Sequence, residues 1–199
     1  MKLVIVFLTF VFSLNTVGQK LDKNAIYFVG RGTLSKKELI GDRFNLYNKE
    51  LTHIGLGLVT NDTLYIYNVS SDKKEKNSSL IVEKLPDFKN VNDIFYLGIW
   101  EYKCKGSNIN KIKSEIKKLK TKQISFDRKF ILGDDNQLYC SEFVFKMTSL
   151  IKELNFKPSV KELNKVEQQF LGVKKLTYIP VDYFLSNKNI IKFQIEYIN

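Results

Sequence analysis

The sequence predicts an α+β domain. Three observations point there. Short apolar strands crowd the first half of the chain, helical-period stripes dominate the second, and Asn61-Asp62 sits between two strand-like runs as a hairpin turn. The 199 residues, 44% of them hydrophobic, suffice for one domain with a real core.

Residues 1–18 stand apart. Lys2 precedes an apolar run over 3–14, broken only by Thr9 and Ser13, and Asn15-Thr16-Val17-Gly18 closes it. The run is too short to span a bilayer comfortably and reads as an export signal, with cleavage near Gly18 or Gln19. The mature domain is then 19–199, expected to be soluble and periplasmic or extracellular. No cysteine follows the run, so a lipid anchor is not expected.

Residues 25–29 form a short strand ended by Gly30-Arg31-Gly32. Residues 33–47 read as helix and loop. Residues 53–59 and 64–69 pair across the Asn61-Asp62 turn. A polar loop over 70–79 leads to strands at 80–83 and 94–102. Ile109, Ile112, Ile116 and Leu119 recur at helical spacing, which predicts a helix over 107–121. Phe143, Val144, Met147, Leu150, Ile151 and Leu154 make a second stripe from Cys140 onward. Tyr178-Ile179-Pro180 and 190–198 are late strands, with a helical turn over 181–185.

The net charge of +11 suits anionic partners: cell-wall polymers, lipid headgroups or nucleic acid. The lysines are scattered, and the densest patch, 111–122, lies on the first helix and reads as its solvated face. No zinc-finger, RNA-binding aromatic or Gly-rich phosphate motif accompanies the charge, so nucleic acid is not favoured.

Chemistry concentrates at few positions. His53 is the only histidine, and Cys104 and Cys140 are the only cysteines. Three soft ligands are too few for a structural zinc, and neither metal nor cofactor is expected. Export would permit a disulfide, but a catalytic role for Cys140 requires a free thiol, leaving Cys104 incidental. Cys140 opens a helix, where first-turn N–H groups and the helix dipole favour a thiolate and can hold an oxyanion. Buried filler is the competing reading of the same position.

His53, Gly55, Gly57 and Val59 share one strand face, while Ile54, Leu56 and Leu58 face a core. The glycines leave room for a helix or a substrate backbone. Counting outward from the turn, Gly57 faces Ile66, Gly55 faces Asn68 and His53 faces Ser70. Asn68 is thus the diagonal neighbour that can orient the imidazole, with Ser70 the fallback. Glu142 cannot share the face of Cys140. It reads as a favourable first-turn carboxylate, and it joins Tyr139 and Ser141 as a second-layer or substrate contact. Asp127, Asp134 and Asp135 receive no role.

The His53-Ile54-Gly55 strand followed by Tyr139-Cys140-Ser141-Glu142-Phe143-Val144 resembles the YiiX-type permuted papain-like hydrolases, relatives of the NlpC-type cell-wall peptidases. Histidine strand, polar-residue strand and cysteine helix occur in the permuted order. The resemblance runs from the segment starting at Ala25 to the Tyr-Ile-Pro-Val-Asp-Tyr-Phe segment ending at Phe184. It implies a circularly permuted papain-like fold, with an antiparallel sheet or partial barrel packed on the cysteine helix. It implies Cys140 as nucleophile, His53 as base and Asn68 as third residue, where the family often has Glu. The activity implied is hydrolysis of an amide or related acyl bond. Its substrate would be a peptide, a peptidoglycan fragment or a lipid-like acyl compound at an anionic envelope surface. A lipid hydrolase or acyltransferase using the same dyad, and a silent binding domain, are the alternatives.

Overall fold

The computed structural model describes residues 20–73 and 77–198; the predicted export signal lies outside them. Ala25–Thr33 (β1) is buried along its whole length. Its side chains alternate between two cores: Ile26 and Phe28 enter one, Tyr27 and Val29 the other. The strand runs on through Gly30-Arg31-Gly32 instead of ending there, because neighbours pair with it on both edges. Gly32 serves close approach, since a Cβ there would lie 2.1 Å from the Glu50 carbonyl oxygen.

Helical turns follow at Leu34–Lys36 (α1) and Asp42–Phe44 (α2), joined by π-helical Lys37–Gly41. His53–Thr60 (β2) and Thr63–Val69 (β3) form the predicted hairpin. Asn61 and Asp62 take φ of 48° and 56°, the two left-handed positions a type I′ turn requires. Leu80–Lys84 (β4), Leu85–Lys89 (α3) and Ile94–Lys103 (β5) come next. Gly106–Leu119 (α4) buries Ile109, Ile112, Ile116 and Leu119, the stripe read from the sequence. Ser125–Phe126 (β6) and Gln137–Leu138 (β7) make a small parallel pair ahead of Cys140–Thr148 (α5). Ser159–Glu162 (β8) and Lys175–Tyr178 (β9) pair around Lys165–Leu171 (α6), and Ile191–Tyr197 (β10) completes the main sheet.

That sheet is antiparallel and open, in the order β10-β5-β1-β2-β3-β4. On one face, Phe28, Ile54, Leu56 and Leu58 pack with Ile112 of α4 and Phe143, Val144 and Met147 of α5. On the other, Tyr27, Val29, Ile66, Leu97 and Ile99 pack under Phe88 of α3. The late chain is tied to the segment before β2 by Asp182. Its buried carboxylate accepts from the backbone N–H groups of Leu46, Tyr47 and Asn48.

Two departures have local causes. The stripe from Cys140 was expected to continue through Leu154, but α5 stops at Thr148. Thr148 Oγ1 donates to the Val144 carbonyl at 3.0 Å and Ser149 Oγ to that of Phe145 at 2.8 Å, side-chain bonds that compete with helix continuation. Ile151 and Leu154 remain in the core through a 3-10 turn. No element is predicted over 157–177, where β8, α6 and β9 form. The signals there are the Asn164–Glu167 capping box and Gly172, which ends α6 at φ 74°.

The clearance at Gly55 and Gly57 is taken by the sheet itself, not by a helix or a substrate backbone. A Cβ at Gly55 would lie 2.5 Å from Ile66 Cγ2 and 3.1 Å from Asn68 Cβ. Gly55→Ala should therefore cost about 1–3 kcal/mol through overpacking, read as a lower urea midpoint. An unchanged midpoint would show that the two strands part freely there.

Candidate functional site

The site is assembled where the ends of β1 and β2 meet the start of α5. His53 opens β2, partly buried. Its Nε2 lies 3.0 Å from Asn68 Oδ1, the diagonal contact counted from the turn. Asn68 is buried, and its Nδ2 donates to Glu83 Oε2 at 3.0 Å. A carboxylate only accepts, so the amide nitrogen faces Glu83 and the amide oxygen faces the ring. The imidazole proton is then on Nε2, which leaves Nδ1 with a free lone pair. Lys73 Nζ closes the chain of contacts at 2.6 Å from Glu83 Oε1. The ring also lies near Phe88, centroid to centroid 5.7 Å.

Cys140 is the first residue of α5 and 5% exposed. The backbone N–H groups of Ile54 and Ser141 favour its thiolate form. Cys140 and His53 both line one cavity. No hydrogen bond joins them; such contacts commonly tighten only when a ligand is bound. Cys104 and Cys140 are both free thiols. Burial is the main force pushing the Cys104 thiol up, to about 11, with Glu153 adding to it.

Burial raises the Cys140 thiol as well, against the pull of the Ile54 and Ser141 amides and of Lys36 and Arg31. Burial also holds the imidazole well below its usual range. The Arg31 and Lys36 charges act in the same direction, while the Asn68 bond opposes them. At neutral pH the resting pair is neutral thiol and neutral imidazole.

The shared cavity holds about 600 Å³, within the range of small-molecule sites. Its walls come from the α1–α2 segment, the 70–72 loop, Phe126 and Phe130, the start of α5, α6 and the 176–181 stretch. They are mainly apolar.

The remaining predicted positions separate. Tyr139 and Ser141 line the cavity, yet their side chains pin the neighbouring chain. Tyr139 Oη accepts from Ile179 N–H at 2.8 Å, and Ser141 Oγ donates to the Ile179 carbonyl at 2.7 Å. Ser70 lines the cavity with its hydroxyl accepting from Asp72 and Lys73 N–H groups, each at 3.2 Å, so Asn68 alone of the two holds the ring. Glu142 is not part of the cavity wall and has no substrate contact to make there. It is 1% exposed, neither carboxylate oxygen has a hydrogen-bond partner among the described residues, and Lys146 Nζ is 3.5 Å away.

Sequence reasoning missed Glu83, Lys73 and Arg31. Glu83 sits across a long loop from Asn68, and no tight turn sets that register. Arg31 had a signal, a lone charge between two glycines in an apolar strand. It is 6% exposed, with its guanidinium 4.4 Å above the Phe88 ring and Nη1 donating to the Phe88 carbonyl at 2.6 Å.

No family model and no curated protein matches the sequence. The fold matches the crystal structure of the metalloprotein yiiX from Escherichia coli O157:H7 (DUF1105). The TM-score is 0.62 at 12% identity, over 90% of this chain and 99% of that one. The architecture is YiiX-like. The neighbour is described as a metalloprotein, but the residues here do not fit a metal. Among the described residues no cluster of three His, Cys, Asp or Glu side chains is placed to hold one. The carboxylates nearest the imidazole are engaged, Glu83 by Asn68 and Lys73, Asp72 by Lys36.

Burial is also the first cause raising the Glu142 carboxyl, to about 7 from 4.5, with Lys146 pulling the other way. A carboxyl raised in the fold supports stability fully below the unfolded value, and that support is lost as pH climbs from about 4.5 toward 7. Glu142→Gln should therefore stabilise the protein by roughly 1–3 kcal/mol at pH 8 and change little at pH 4. Thermal melts of both proteins across pH check this, and parallel curves would show that the carboxyl is not strained by burial.

Proposed function

We propose that the protein is an exported cysteine hydrolase of the permuted papain-like, YiiX-like type, cleaving an amide or related acyl bond. One observation carries the reading. Asn68 holds the imidazole through Nε2, so its free Nδ1 shares a cavity with an unbridged thiol at a helix N-terminus. A positioned base and a thiol at a helix start are what nucleophilic acyl transfer needs.

In this mechanism Nδ1 of His53 takes the Sγ proton as sulfur attacks the acyl carbon. The first-turn N–H groups of α5, free of intrahelical partners, face the developing oxyanion. Collapse expels the leaving group, which takes the proton back from His53. A water deprotonated by Nδ1 then attacks the thioester and releases the acid, regenerating the thiol. The resting pair is neutral, so proton transfer accompanies attack rather than preceding it. Asn68 keeps the tautomer, and Glu83 with Lys73 keeps Asn68 from turning over.

Cys140→Ala should abolish turnover with an unchanged fold. His53→Ala should lower kcat/KM by on the order of 10²–10⁴, and Asn68→Ala by less. A wild-type rate for Asn68→Ala would remove it from the mechanism. Glu83→Ala should lower kcat several-fold with KM held, as expected of a positioning residue; a change in KM alone would point to the substrate instead.

The thiol itself gives a second test. Iodoacetamide alkylation of Cys140 should accelerate through alkaline pH without a neutral plateau, and slow in His53→Ala. A plateau already reached at pH 6 would mean a preformed thiolate and overturn the neutral-pair mechanism. Slow labelling insensitive to His53 would favour a silent binding domain.

A further inference from the structure

Arg31 is a buried cation without a counter-ion. It is more than nine-tenths buried, yet it makes no ion pair among the described residues. Its Nη1 donates to the Phe88 carbonyl and its guanidinium lies over the Phe88 ring; the other N–H groups of the fork have no acceptor among the described residues. Burying an unpaired charge is costly, so such a group points to an anion that is brought to it.

The surrounding side chains do not supply that anion. The carboxylates acting on Arg31 are Glu83 and Asp72, but Glu83 is held by Lys73 at 2.6 Å and Asp72 by Lys36 at 3.0 Å. Three cations against two carboxylates leave one positive charge over. That charge lies inside the site, because Arg31 lines the same cavity as His53 and Cys140. Arg31 is paired opposite His53 across β1 and β2, so their side chains share a sheet face, and the Phe88 ring lies against both. Arg43 and Arg128 also line the cavity, but they stand exposed, where solvent screens them.

This placement opposes the chemistry of the resting site. His53 becomes imidazolium when it takes the thiol proton. Burial is the chief force against that charge and Arg31 is the next, ahead of Lys36. At the thiol the order of the two cations reverses, with Lys36 ahead of Arg31. An anion on Arg31 therefore relieves the base more directly than it hinders the nucleophile.

We infer that the substrate carries a carboxylate close to its scissile carbonyl, that Arg31 binds this carboxylate, and that the pairing readies His53 as the base. The inference rests on the hydrolase reading for the place of the carbonyl, and deepens it by naming the substrate class and the residue that selects it. A monoanion matches the single positive charge left over, and a guanidinium edge pairs with a planar carboxylate through two bonds. A dianionic phosphate would leave a negative charge buried in its turn. Binding and protonation are also linked: the carboxylate and the imidazole proton favour each other by the same factor.

His53 is the only histidine, so one imidazole resonance reports the site in an NMR titration of the full protein. N-acetylglycine should raise the pH at which that resonance titrates, saturably and by about one unit, and its uncharged counterpart N-acetylglycinamide should not. The protonated form should bind N-acetylglycine about tenfold tighter than the neutral form. Arg31→Met, which keeps the bulk and removes the charge, should raise the titration without any ligand and abolish the response to N-acetylglycine. Should that variant not fold, the carboxylate and amide arms on the wild type decide alone. No shift, or an equal shift from the amide, overturns the inference. A larger shift from inorganic phosphate overturns the carboxylate.

The covalent step is read separately with mono-4-nitrophenyl glutarate. Sulfur takes the glutaryl group, and 4-nitrophenol leaves with the proton from His53. A carboxylate-dependent shift with no glutaryl thioester on Cys140 keeps the Arg31 site and overturns the hydrolase. A thioester with no shift does the reverse.

Discussion

The site depends on the register of one hairpin. Thr60 opposite Thr63 and Gly57 opposite Ile66 put Asn68 on the same sheet face as His53, one diagonal away. A slip of one residue would turn Asn68 toward the helical core and leave the imidazole without an acceptor. Two features hold the register. The Asn61-Asp62 turn permits only a two-residue loop geometry. On the opposite face Ile54, Leu56 and Leu58 are committed to the core under α5, so that face cannot be exchanged for the other. The same commitment brings the α5 N-terminus to Ile54, and with it the thiol to the residue beside His53.

Around this geometry the electrostatics favour neutral groups over ions. Arg31 and Lys36 face both thiol and imidazole. They make imidazolium costly and thiolate cheaper, while burial penalises either charge. The outcome at neutral pH is an uncharged imidazole beside a protonated thiol.

Resemblance to yiiX is carried by architecture at 12% identity, so it speaks to the placement of elements and not to their chemistry. The chemistry has to come from the residues, and these diverge from a metal-binding donor set. Asn68 stands where an acidic residue would bond the imidazole more strongly, and the carboxylate appears one strand further out, at Glu83 on β4. Aromatic packing on the cavity side, with Phe130 edge-on to Tyr139 at 5.3 Å, holds the entry to α5 so that the thiol keeps its place.

Periodicity and turn chemistry in the sequence determined the strands of the main sheet, the two long helices, the His53–Asn68 diagonal and the helix-start position of Cys140. These are local properties, set by side-chain alternation, the 3.6-residue stripe and a turn that admits one loop length. Only the tertiary structure decided what lies behind Asn68, where the glycine clearance goes, and that Glu142 is buried away from the cavity while Arg31 is inside it. Those outcomes depend on strands paired across long loops, β3 with β4 and β1 with β5, and on α6 folding over the pocket. Chain connectivity alone sets no distance between such elements; packing does.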